Sequence, residues 1–205
     1  ASYRPPLKLE FRSGMPANAF ALPGGTVVMT DAIVQAAADK GISDDALVGV
    51  LAHEIGHVVH RHGMRMVVEQ GVLNMGLGLA LGDVSGVVSS GATLLTSRAY
   101  SRSHEREADC YAIALMRQAS LPTAPMGQLL LAIAHDEEDE ARKPKGTKPA
   151  ESTAPAAEPA SAPKAKDKAA TPRESSPVWS LLASHPDTVQ RATELQQGHA
   201  PHCAR

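Results

Sequence analysis

The chain has 205 residues, a net charge of -2, 43% hydrophobic residues and 3% aromatic residues. That length suits one domain, or one domain plus disordered sequence. With so few rings the core must come from Leu, Val, Ile, Met and Ala, and the charge balance excludes a nucleic-acid-binding field. Cys110 and Cys203 are too few for a disulfide framework; they form one bridge or stay two unrelated thiols, because sequence cannot show their separation. Residues 1–6 contain no apolar signal-peptide core, and the chain starts without Met, as a processed protein would.

Leu7 to Phe11 alternates apolar Leu7, Leu9 and Phe11 with Lys8 and Glu10, the period of a half-buried strand. After Ser13-Gly14 come Asn18 to Leu22, a Pro23-Gly24-Gly25 break and the β-branched run Thr26 to Thr30, which together read as a small sheet. Asp31 is the expected N-cap of a helix reaching about Asp39, closed by Gly41. Ser43-Asp44-Asp45 places a cap and two carboxylates at the positive end of a second helix, expected to run to about His62 with Gly63 after it.

From Gly71 to Leu95 the chain is apolar and glycine-rich, but its longest clean stretch, Met75 to Gly82, falls far short of a membrane span. Two short buried helices hinged near Asp83, or an apolar hairpin facing membrane or substrate, both fit. Further helices are expected over Ser103 to Ser120 and from Pro125 to about His135. Between Ile133 and Val178 there is no Val, Leu, Ile, Met, Phe, Tyr, Trp or Cys. Residues 136–177 therefore read as a disordered Pro/Ala/Lys/Glu-rich insertion, opening with the acidic run Asp136 to Glu140. It divides a main portion, 1–135, from a C-terminal portion, 178–205, that ends in a helix from Asp187 to about Gln197.

The chemistry lies in His53-Glu54-Ile55-Gly56-His57. Histidines at i and i+4 share a helical face one turn apart, so their imidazoles can converge on one zinc ion. Glu54, at the edge of that face, can reach a water held by the ion, the arrangement of metal-assisted hydrolysis. On a later helix Glu105 and Asp109 also share a face, while Glu107 points away. A ligand carboxylate and an aspartate that orients a liganding histidine form a sensible pair. His60 lies about 10.5 Å along the axis from His53 at 1.5 Å per residue, and His60 and His62 both read as flanking residues. His104 and His135 carry no pattern.

Four segments together resemble the zinc peptidase family that includes the CAAX prenyl proteases, HtpX, the mitochondrial OMA-type protease and the periplasmic BepA and LoiP. They are Asn18 to Gly25, His53 to His57, Ser101 to Asp109, and Ser184-His185-Pro186 with Arg191. The resemblance implies an α+β, mostly helical zincin-like (gluzincin) fold with a small β-sheet beside the active-site helix. It implies one Zn2+ per chain held by His53, His57 and Glu105, with Asp109 behind a liganding histidine. Glu54 is then the general base, and His185 and Arg191 stabilise the oxyanion or occlude the site. The strand Thr26, Val27, Val28, Met29 becomes the edge on which an extended peptide adds.

The family usually carries a further helix before the first strand, for which this chain starts too late, and the insertion before Ser184 is longer than expected. Lacking a convincing span, the chain is closer in type to the soluble periplasmic members. An endopeptidase acting on unfolded or misassembled envelope proteins is therefore expected, periplasmic or membrane-associated, without nucleic acid, and associated peripherally with membrane or an envelope complex. A zinc-containing chaperone or binding protein, or a non-peptide zinc hydrolase, are the rival readings. A structural zinc site is usually closed by four protein ligands, and only three are evident.

Overall fold

A computed structural model describes residues 6–69, 100–142, 181–197 and 203. The apolar stretch Gly71 to Leu95 and most of the insertion, from residue 143 on, lie outside the described residues.

Three strands, β1 (Lys8–Arg12), β2 (Ala19–Leu22) and β3 (Thr26–Thr30), form a sheet of order β1-β3-β2. β1 runs parallel to β3, with Lys8 opposite Thr26. β2 is antiparallel to β3, with Ala19 opposite Met29. The β2–β3 turn uses Gly24 and Gly25 at φ 96° and 100°, a region that costs glycine little. β3 is thus the central strand, paired on both sides, and Val27 to Thr30 are all buried. This corrects the expectation that Thr26 to Met29 is an edge. A β-branched run without polar alternation is what a strand covered on both faces needs, and among the described residues the open edges belong to β1 and β2. The alternation of β1 also misleads: Leu7, Leu9 and Phe11 are exposed rather than half-buried.

Helix α1 (Asp31–Asp39) is capped by Thr30, whose hydroxyl accepts from the Ile33 amide at 3.3 Å. The cap falls one residue before the expected Asp31 because Thr30 still has extended backbone, and its hydroxyl, which also accepts from the Asn18 amide, can turn to the Ile33 amide. Ser43 accepts from the Asp45 amide at the start of α2 (Asp45–Val59). That helix ends before the expected His62. Arg61, rather than Gly63, takes the left-handed conformation at φ 57°, and helical backbone resumes over 62–69.

Helix α3 (Arg102–Gln118) starts at its N-cap Ser101, and α4 (Ala124–Arg142) extends past the expected end at His135. The acidic run is helical, a correction to the insertion boundary at 136. Asp136 pairs with Lys40 at 3.0 Å, and Glu137 accepts from the amides of Leu181 and Leu182 at 2.8 and 3.2 Å. The short helix α5 (Leu181–Ser184) is thereby tied to α4. The last helix, α6 (Thr188–Gln196), follows Asp187.

Ile33, Val50, Ile113, Met126, Leu129, Ile133, Leu181 and Leu195 share one core with Ala19 and Met29 of the sheet. Two glycines set helix separations. A Cβ on Gly56 would lie 3.0 Å from Ala108 Cα, and one on Gly127 would lie 2.4 Å from the Ala192 carbonyl oxygen. The first contact presses α3 against α2; the second presses α6 against α4. Cys110 and Cys203 form a disulfide, which decides the pairing left open by sequence. No described helix is long and apolar enough to cross a membrane.

Candidate active site

Because α3 lies so close at Gly56, the carboxylates of α3 reach the histidine face of α2. His53 and His57 are buried, and their Nε2 atoms are 3.0 Å apart. Glu105 approaches both, with Oε2 at 3.5 Å from His53 Nε2 and Oε1 at 3.4 Å from His57 Nε2. Asp109, one turn on, lies behind His53, with Oδ1 2.9 Å from Nδ1; the N–H is not aimed squarely at that oxygen. The i, i+4 reading of Glu105 and Asp109 therefore matches the geometry.

From α6, Arg191 donates Nε and Nη2 to the two oxygens of Asp109 at 2.7 Å each, and Nη1 to Glu105. The guanidinium expected at an oxyanion is instead committed to two buried carboxylates. His185, just before α6, places Nδ1 at 3.2 Å from both Glu105 oxygens, and its Nε2 is 3.3 Å from the Ala19 carbonyl oxygen and 3.5 Å from Glu54 Oε1. Glu54 is 1% exposed, and its Oε2 has no partner.

Burial would push the Glu105 and Asp109 carboxyls up, but neighbouring cations win. His185 and Arg191 hold Glu105 well below its ordinary value, and Arg191 with His53 holds Asp109 down. Burial likewise opposes protonation of His53, yet Asp109 and Glu105 raise it to about 10. Glu54 is raised, chiefly by burial. His62 goes the other way, to about 4, because burial outweighs its contact with Glu107.

Ligand-type atoms of His53, Glu54, His57 and His185 all lie within 4.8 Å of one another, and Glu105 adds its carboxylate to the same centre. The donor set suits zinc. Two imidazole nitrogens and a carboxylate that crowd within 3.5 Å repel one another unless a cation or a proton stands between them.

Sequence reasoning missed three residues here. His62, read as flanking, is fully buried and reaches His57, because the left-handed Arg61 turns the chain back. Tyr100 stacks on His57 with ring centroids 3.8 Å apart, and its hydroxyl points to the Ala21 carbonyl oxygen at 3.5 Å. His104 stacks on His62 at 4.3 Å. Buried histidines were the available signal, but burial of isolated polar residues is not readable from period alone. Beside His57, between β2 and the end of α2, lies a cleft of about 230 Å³ bordered by Ala21, Leu22, Arg61, Met64 and Tyr100.

A histidine pair, a carboxylate facing both rings and a buried glutamate with one oxygen free of hydrogen bonds among the described residues define a metallopeptidase site. The chain belongs to peptidase family M48, whose family model matches residues 5–198. It is 34% identical over 140 residues to a protein of Vibrio cholerae that carries the name beta-barrel assembly-enhancing protease, covering 62% of this chain and 28% of the relative. It is 34% identical over 105 residues to the mitochondrial metalloendopeptidase OMA1 of Saccharomyces cerevisiae, covering 50% of this chain and 29% of the relative. The matched portions thus span under a third of either relative.

Proposed function

We propose that the chain is a zinc-dependent endopeptidase, and that His53, His57 and Glu105 hold the metal. The observation that carries this reading is the convergence of both Nε2 atoms and the Glu105 carboxylate, with Glu54 beside them keeping its Oε2 free of hydrogen bonds among the described residues. Glu105 is preferred to His185 as third ligand because it addresses both imidazoles at once, through separate oxygens. Bound zinc supplies polarisation of the scissile carbonyl and lowers the pKa of water to about 7.

The remaining steps belong to the chain's own residues. Glu54 takes the water's proton and returns it to the leaving amine; its burial raises its pKa toward working pH, which suits a base that must later act as an acid. His185, beside Glu54 and the β2 backbone, is placed to face the carbonyl oxygen of a bound peptide. Arg191 acts through Glu105 and Asp109 by fixing their positions. An extended substrate adds to the open edge of β2, where Ala19 and Ala21 turn backbone carbonyls toward His185 and Tyr100. The adjoining cleft receives one of its side chains.

By similarity to relatives named for assembly-enhancing and metalloendopeptidase roles, the substrates are unfolded or misassembled envelope proteins. A periplasmic or peripherally membrane-associated setting agrees with the Cys110–Cys203 disulfide, which persists in oxidising compartments.

Glu54→Gln tests the mechanism. Glutamine keeps the shape but takes no proton, so hydrolysis of a denatured protein should fall by at least about 10²–10⁴-fold with zinc content unchanged. His57→Ala should lose activity together with the metal. Zinc-loaded Glu54→Gln cleaving at the wild-type rate would overturn the mechanism, and a zinc-binding chain that cleaves no peptide would restore the chaperone reading.

A further inference from the structure

Among the described residues, what stands behind His57 Nδ1 is another imidazole rather than a carboxylate. His62 Nδ1 lies 2.9 Å from His57 Nδ1, and His62 Nε2 lies 3.1 Å from Glu107 Oε2. The direction of this chain follows from donor chemistry. An ionised carboxylate only accepts, so Glu107 requires the proton of His62 on Nε2. In neutral His62 that leaves Nδ1 as an acceptor, so His57 must donate from Nδ1. His57 Nε2 then bears a lone pair directed at His53 and Glu105.

Ring stacking holds this arrangement in place. His57 lies on Tyr100, with centroids 3.8 Å apart and planes 24° apart. His62 is held between His104 at 4.3 Å and His60 at 5.4 Å, within 19° and 13° of parallel. Neither ring can turn far without losing a stack.

We propose that His62 and Glu107 are positioning residues for the metal centre: a Glu107–His62–His57 relay that sets the His57 tautomer and aims its Nε2 at the ion. The inference rests on the zinc reading above and deepens it. His60, His62 and Glu107 also group closely enough to suggest a second metal site. However, Arg65 Nη1 sits 3.3 Å from the same Glu107 oxygen that His62 uses. A guanidinium on that oxygen repels a second cation, so the relay is the better account.

The test is a competitive zinc titration of the full chain against a chromophoric chelator, together with thermal unfolding of each metal-free form. His62→Phe fills the space without an acceptor and should weaken zinc binding by about 10–100-fold, the usual cost of losing such a partner. His62→Gln, whose amide oxygen can still accept from His57 Nδ1, should recover most of that loss. Glu107→Ala should weaken binding less than His62→Phe, since His62 keeps one tautomer available. Rescue by glutamine between variants of equal metal-free stability separates positioning from packing. Equal zinc affinity in wild type and His62→Phe overturns the relay, and so does equal weakening in His62→Phe and His62→Gln. Two zinc ions per wild-type chain, with only one lost in His62→Phe, overturns it in favour of an outer metal site. A wild-type chain that binds no zinc instead sinks the function proposed above.

Discussion

The two histidines of the active-site helix point at one centre but are backed in opposite ways. Behind His53 lies a fully charged, buried set: Asp109, gripped through both oxygens by Arg191, which also reaches Glu105. Behind His57 lies a neutral ring, His62, whose far nitrogen meets a half-exposed glutamate. The first backing is expensive to desolvate and collapses when one charge is removed. The second needs no buried ion pair, so its failure should cost alignment more than fold. Four variants can break or sharpen that contrast.

The largest effect belongs to Arg191→Ala. It strands two carboxylates that are nearly inaccessible to water, at a cost of about 3–5 kcal/mol for a broken buried pair. Chemical unfolding of the metal-free protein should show this loss, and zinc affinity should fall with it. A change below about 1 kcal/mol would mean that the charged set holds nothing together.

Asp109→Asn should come next. The amide still faces His53, but it pairs Arg191 poorly, so stability and zinc affinity should fall together, the latter by about 10–100-fold. His62→Phe should instead lower affinity with little change in metal-free unfolding. Matching profiles for the two variants would erase the distinction between the backings.

Glu54, which meets His185 Nε2 through one oxygen, should give a small effect on stability and one of opposite sign. Its pKa is raised from 4.5 by burial. A raised acid loses folding free energy as pH climbs above its unfolded value, because the ionised form is costlier in the fold. Metal-free Glu54→Gln should therefore match wild type below about pH 4.5 and gain on it as pH rises toward neutrality. Parallel melting curves across that range would show that Glu54 is not desolvated as described.

What the chain discloses before folding follows the same division. The His53 side was legible because its parts lie at helical spacing: His53 and His57 on one face, Glu105 and Asp109 on another. Both relations survive in the structure since period alone determines them. The His57 side depends on a helix break at Arg61, a non-glycine left-handed residue that no pattern announces. Strand order was equally hidden. Thr26 to Thr30 carried the signature of a covered strand in its unbroken apolar run, but the family resemblance drew attention to an edge. The acidic run after His135 read as solvated charge. It is solvated, and it is also helix, because Glu and Ala favour helix where nothing needs burying. The Cys110–Cys203 pairing, across 93 residues, depends on tertiary proximity alone.

The joint grip of Arg191 on Glu105 and Asp109 also has a meaning in time. Arg191 lies 86 residues after Glu105, and a ribosome adding about 5–20 residues per second needs roughly 4–17 s to cover that interval. Throughout it the growing chain carries its histidine pair and both carboxylates, but not the cation that lets those carboxylates be buried. Until α6 emerges, the charged backing of His53 lacks the guanidinium that pairs Glu105 and Asp109 in the complete fold.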